Sequence, residues 1–174
     1  AAVLVLGLGV CFGKTGYQVK SAHPRLFIED VAEMARRCDG PLADDYAIVK
    51  QRADAAVQRR GIQYISNPWS IPEDLMNCGL AWLVERQLGR DGRPYADVIV
   101  RPWGAGALIA NREGSHFGYH AIAYDWIYDA LTPEQRVRFG DALGSWLRFF
   151  TDEPRILLKW GHWEYNQTWG PIHL

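Results

Sequence analysis

Apolar positions recur along this chain with a helical period, and short Gly- and Pro-containing stretches separate the segments they define. Ile28, Val31, Met34 and Cys38 share one face of a helix expected over residues 28–38, which Asp39-Gly40-Pro41 ends. Tyr46, Val49, Ala53 and Val57 form the stripe of a second helix over 43–60, with Gly61 as its terminator. Asp44, Asp45, Lys50, Arg52 and Arg59 fall mostly off that stripe. A third helix opens at Ser70, an N-cap with Glu73 three residues on and Pro72 in the first turn, and runs to about Leu88. Met76, Leu80, Leu83 and Gln87 lie along one of its sides, and Leu75 and Trp82 along another. Gly89-Arg90-Asp91-Gly92-Arg93-Pro94 is a turn.

The stretch 95–111 gives mixed signals. Val98-Ile99-Val100 favours a strand locally, and Pro102 interrupts a helix. It is assigned to helix because its neighbours are helical. Residues 117–131 carry apolar side chains nearly all round: Phe117, Ala121, Tyr124, Tyr128 and Leu131 on one stripe, Ile122, Trp126 and Ile127 elsewhere. Only His120, Asp125 and Asp129 are strongly polar there, so this helix is expected to be buried between others. Thr132-Pro133-Glu134-Gln135 then starts a further helix, with Thr132 as N-cap, Pro133 first in the helix and Gln135 closing a capping box. Phe139, Leu143, Trp146 and Phe150 make its inner face. Links this short favour antiparallel neighbours. The expected class is all-α, a series of antiparallel helical hairpins, and no repeat or heptad series appears.

Composition adds a few limits. A net charge of −1 argues against nucleic acid as a partner, which calls for a basic excess, but leaves room for an anionic polymer met by a local group of donors. Eight Trp and eight Tyr suit a buried helical core, and they also suit carbohydrate, whose rings present C–H faces to aromatic side chains. Cys11, Cys38 and Cys78 are widely spaced, form no zinc pattern and leave any disulfide pairing open. Residues 2–12 are an apolar run too short for a membrane span; it reads as the hydrophobic part of a secretion signal, so 1–20 are expected to be a leader and 21–174 the helical domain. His23 is biased to extended backbone by Pro24.

Two segments carry a resemblance. His23-Pro24-Arg25-Leu26-Phe27, followed by an acidic helix start and Met34-Ala35-Arg36-Arg37, resembles the opening of the heparinase II/III-like polysaccharide lyases. The run from Ala123-Tyr124-Asp125-Trp126-Ile127-Tyr128 to Asp129-Ala130-Leu131-Thr132-Pro133-Glu134 resembles a later part of the same N-terminal domain. The resemblance spans roughly residues 23–174. It implies an incomplete (α/α) toroid, a β-sandwich region following in the same chain, a secreted or periplasmic location, and no cofactor. The implied reaction is β-elimination at a uronic acid of an anionic polysaccharide: a base removes the C5 proton, a neutral hydrogen-bonding group steadies the carboxylate, and an acid, often Tyr, protonates the leaving oxygen.

Trp160-Gly161-His162-Trp163-Glu164-Tyr165-Asn166-Gln167-Thr168-Trp169-Gly170-Pro171-Ile172-His173 resembles the family's Asn-His active-site stretch. The resemblance puts Asn166 at the carboxylate-neutralising position. Gln167 stands where many members have His. Gln donates and accepts hydrogen bonds but is no base at neutral pH, so either the base comes from elsewhere or Gln167 is a second carboxylate donor. The family's catalytic Tyr would lie beyond Leu174, and the chain then holds part of a site. His162 and His173 flank the pair as a base, as substrate donors or as ordinary histidines, and Trp163 and Trp169 stack on sugars or pack in a core. His116, Tyr119 and His120 stand at the mouth of the buried helix as candidate substrate contacts. Asp125 and Asp129, one turn apart, have the look of an acid/base pair but are expected to bond to helix ends or basic side chains. The competing readings are a toroidal glycoside hydrolase using carboxylates such as Asp125 or Glu164, and a non-catalytic helical glycan-binding module.

Overall fold

The computed structural model describes residues 21–62, 73–106 and 114–152, with the backbone alone for 114–117 and 146–152. All regular elements among them are helical: α1 Val31–Cys38, α2 Ala43–Arg59, α3 Glu73–Gln87, α4 Arg93–Gly104, α5 Gly114–Trp126, a single 3-10 turn Tyr128–Ala130, and α6 Pro133–Asp152. The leader expected over 1–20, the Ser70 cap and the stretch 153–174 lie outside the described residues.

The centre of the fold is α3. It packs against α1, α2, α4 and α5. Its side chains from Leu75 through Glu85 are buried on several faces, with Leu75, Cys78, Ala81 and Val84 fully enclosed. Burying a side chain such as Leu75 contributes roughly 1.5–3 kcal/mol. The approach of α5 is close because position 79 carries no side chain. A Cβ on Gly79 would stand 3.1 Å from the Trp126 ring. Two apolar clusters result among the described residues. The larger joins α2 through α6 and contains Leu75, Ile99, Trp103, Ile127 and Phe139. The smaller is a seam of Ala35, Cys38, Tyr46 and Val84 between α1, α2 and α3.

Local signals set most boundaries. The first helix begins at Val31 rather than 28, because the Asp30 side chain accepts the Glu33 amide at 3.0 Å and caps it. Ile28 is nonetheless buried, delivered to the core by the preceding segment. Arg60, not Gly61, takes the left-handed position that ends α2, at φ 58°. The glycine is one residue too late to relieve it. Gly89 serves that role without strain after α3, at φ 72°. Pro102 lies inside α4, whose helix runs on to Gly104. A proline there removes one hydrogen bond near the helix end, and the buried face of Tyr95, Val98, Ile99 and Trp103 outweighs that loss and the local strand preference.

The phase of α5 differs from the expected one. Ala121, Tyr124 and Tyr128 are only half-buried, whereas Ala123, Asp125, Trp126 and Ile127 are buried, and so is His120. An almost uniformly apolar helix gives periodicity little contrast to report its inner face. The capping box of α6 is formed as expected: the Gln135 amide donates to Thr132 Oγ1 at 3.2 Å, and the Thr132 amide to Gln135 Oε1 at 3.0 Å.

Two stability changes should follow. Thr132→Ala removes one side of that box and should cost about 1 kcal/mol in urea denaturation. Arg60→Gly should instead raise stability by up to about 1 kcal/mol, since it relieves a left-handed conformation and keeps the Arg60 carbonyl that Arg101 contacts at 3.0 Å. Equal midpoints for either variant and the parent chain would contradict these assignments.

Candidate functional site

Asp125 lies one residue from the end of α5 with its side chain 6% exposed. A buried carboxylate is costly unless hydrogen-bonded, and Asp125 meets that need with donors from the segment before α1. Its Oδ2 accepts the amides of Arg25 at 2.7 Å and Leu26 at 2.8 Å, and its Oδ1 is bonded to His23 Nδ1. The neighbouring Trp126 indole donates back to the Leu26 carbonyl at 3.0 Å. The same carbonyl accepts the Ile28 amide at 2.8 Å across Phe27, which sits at φ 62° and is 82% exposed. A non-glycine residue in that region costs on the order of 1 kcal/mol, and the bonds on either side hold it there.

His23 is fixed on a second side. Its ring stacks on Tyr128 at 3.7 Å between centroids and 14° between planes. Tyr128 in turn lies under the Arg136 guanidinium at 4.3 Å and meets Tyr124 edge-on. Arg136 also donates to the Tyr128 carbonyl at 3.1 Å, and its own carbonyl accepts the Tyr124 hydroxyl at 2.9 Å. Residues 23–27 and 123–134, the segments with the family resemblance, are therefore in direct contact.

A cleft of about 300 Å³ opens beside them. Its polar lining is His23, Arg86, Gln87 and Asp129, and Pro24, Val31, Leu83 and Trp126 supply the apolar wall. Arg86 Nη1 donates to Asp129 Oδ2 at 2.8 Å, in a pair that is about half exposed on both sides. Asp129 thus bonds to a basic side chain as the sequence suggested, whereas Asp125 takes loop amides and an imidazole. The two do not form an acid/base pair.

Several other polar groups have partners of their own. Trp103 donates its indole N–H to His120 Nδ1 at 3.1 Å, which places the ring proton of a neutral His120 on Nε2. His120 is fully buried, a core residue and not a cleft contact. Buried Glu85 accepts the Tyr46 hydroxyl at 2.8 Å, and burial, then this bond, raises the Tyr46 phenol well above its ordinary range. Tyr95 donates to Asp54 and accepts from Lys50 at 2.8 Å. Burial, then the Asp54 bond, raises the Tyr95 phenol, and the bond to Tyr95 is the main cause that raises Lys50. Neither phenol is tuned to act as a base. A second groove, of about 480 Å³, runs along α2 past Lys50, Gln51, Asp54 and Gln58. Cys38 and Cys78 are free and buried, and burial pushes the Cys78 thiol up to about 12. No group of three or more His, Cys, Asp or Glu among the described residues could hold a metal ion.

No protein-family model, curated protein or solved structure matches the chain. Of the residues singled out in the sequence, Asn166, Gln167, His162, Trp163, Trp169 and His173 lie outside the described residues. His116 is in the first turn of α5, where the backbone alone is described, and Tyr119 is half-buried against the main cluster. Sequence reasoning missed the coupling of His23 to Asp125, and the Lys50–Asp54–Tyr95 group. The first was within reach: both partners lie in segments with the same family resemblance. In the second, Lys50 and Asp54 are one helical turn apart, but Tyr95, 45 and 41 residues from them, left no local signal.

Truncating Asp125 leaves two loop amides and an imidazole without their acceptor. Asp125→Ala should cost about 3 kcal/mol, and His23→Ala distinctly less, because the two backbone bonds survive it. Equal losses from the two substitutions, measured by chemical denaturation, would show that the backbone bonds carry no weight.

Proposed function

We propose that this chain is the N-terminal part of a polysaccharide lyase, built on an incomplete (α/α) toroid of antiparallel hairpins, that cleaves a uronic-acid-containing polymer by β-elimination. The observation that carries the reading is the meeting of residues 23–27 with residues 123–134 at Asp125. Two short motifs that resemble one family, about a hundred residues apart, form a single bonded unit. Chance likeness in either motif would not call for that. The all-helical architecture agrees with a toroid domain, and no described helix is long and apolar enough to cross a membrane.

In this reading Asn166 donates to the substrate carboxylate. The C5 proton becomes acidic only if the negative charge that develops there is stabilised, and a neutral amide does so without a proton of its own to lose. Gln167 adds a second donor in the same pocket, and the base and the protonating acid come from other parts of the parent protein. Trp163 and Trp169 offer ring faces to sugar residues, and His162, His173, His116 and Tyr119 offer hydrogen bonds. A β-sandwich region completes the parent, which is secreted or periplasmic. The hydrolase alternative is weaker at one of its carboxylates: Asp125 is buried and already accepts from three donors.

Asn166→Ala should slow the parent enzyme about a hundredfold, roughly 3 kcal/mol in the barrier, with little change in thermal stability. Gln167→His should keep activity. The assay is the ultraviolet absorbance of the unsaturated uronate product. New reducing ends without that absorbance would replace the lyase by a hydrolase, and near-normal turnover in Asn166→Ala would remove the site assignment.

A further inference from the structure

The cleft beside His23 has a polar lining that the lyase reading does not use. One Arg86 nitrogen and one Asp129 oxygen are spent on each other. Asp129 Oδ1 and the Gln87 side chain make no hydrogen bond among the described residues, and neither does His23 Nε2, which is also not sealed from solvent. His23 and the Arg86–Asp129 pair are held in place before any ligand arrives. His23 is fixed by Asp125 and the Tyr128 ring, and Arg86 by Asp129 and by Trp82, whose ring lies 5.4 Å below the guanidinium. Pre-placed donors and acceptors lose little freedom on binding.

The charges decide what fits. Arg86 and Asp129 cancel as a pair, so an anionic ligand drawn to Arg86 meets the Asp129 carboxylate, and a cation drawn to Asp129 meets the guanidinium. A hydroxyl both donates and accepts. Two neighbouring hydroxyls on a ring can therefore donate to Asp129 Oδ1 and accept from Arg86 at once, leaving the amide of Gln87 and the imidazole of His23 for others. Val31, Leu83 and Pro24 give the C–H face of such a ring an apolar wall. At about 300 Å³ the cleft is at the small end of ligand pockets.

We infer that this cleft binds a neutral pyranose unit through His23, Arg86, Gln87 and Asp129. The inference goes beyond the lyase proposal, because a glycoside can bind here whether or not the parent cleaves a uronate polymer. The probes are methyl β-D-glucopyranoside, methyl β-D-galactopyranoside and methyl β-D-glucuronide. Each is titrated into the isotopically labelled chain while the His23 imidazole and Trp126 indole resonances are followed.

At least one neutral glycoside should shift both signals saturably, with a dissociation constant on the order of 1 mM. The glucuronide should bind at least tenfold more weakly, and Asp129→Asn should narrow that gap by removing the opposing charge. The Arg86–Asp129 pair is exposed and contributes little to folding, so the double variant Arg86→Met with Asp129→Asn should fold and lose neutral-glycoside binding. Shifts from no neutral glycoside would overturn the inference, as would unchanged affinity in the folded double variant or tighter binding of the glucuronide. Glycoside binding by a chain whose parent releases no unsaturated uronate would sink the lyase reading and leave this one standing.

Discussion

A carboxylate placed in the interior must be given donors, and in this chain that requirement organises one side of the molecule. Asp125 sits at the end of a helix whose other buried neighbours are almost wholly apolar, with no Lys or Arg side chain among its bonds. Its donors come from the backbone about a hundred residues earlier and from an imidazole. Meeting them fixes the path of residues 23–27, forces Phe27 into a left-handed conformation, and lays His23 flat on Tyr128. The wall of the cleft beside α3 is a consequence of that docking. Trp126 extends the effect inward: its indole holds Leu26, and its ring rests where Gly79 leaves room on α3.

Elsewhere the same rule is met locally. Glu85 is buried against the Tyr46 hydroxyl, with Arg90 at 3.4 Å bridging toward Asp39. Tyr95 is buried with its hydroxyl between Asp54 and Lys50. His120 receives the Trp103 indole. Each of these three groups is tied to a partner on another element, so these bonds specify which helices meet, while the apolar contacts of α3 supply most of the stability. The ion pairs Arg52–Glu73 and Arg59–Asp74 join α2 to α3 in the right register, and the first is too exposed to contribute much.

Much of the architecture was legible because it is written in local rules. Helix starts at Thr132, and stops such as Asp39-Gly40-Pro41, depend on neighbours in sequence. Features set by tertiary packing were harder to see. The inner face of α5 could not be read from a segment apolar on every side, and the helix through Pro102 depends on burial of Trp103 and Ile99, which no local propensity reports. Arg60 holds a position that Gly61 would have suited, because the chain's exit from α2 is fixed by helix length. Of the cleft, the sequence marked His23 within a resembling motif, Asp129 one turn from Asp125 and Gln87 on one side of its helix, but not Arg86; their convergence needs the docking of residues 23–27. The Asn166 stretch rests on its resemblance alone.

Hydrogen exchange at the Arg25 and Leu26 amides tests the central claim most directly, namely that the Asp125 carboxylate binds the two segments into one unit. In the intact chain both amides should be protected, and they should exchange together with the Trp126 indole N–H. In Asp125→Ala all three should lose protection while the amides in the middle of α3 keep theirs. Protection of Arg25 and Leu26 that survives removal of the carboxylate would contradict the account.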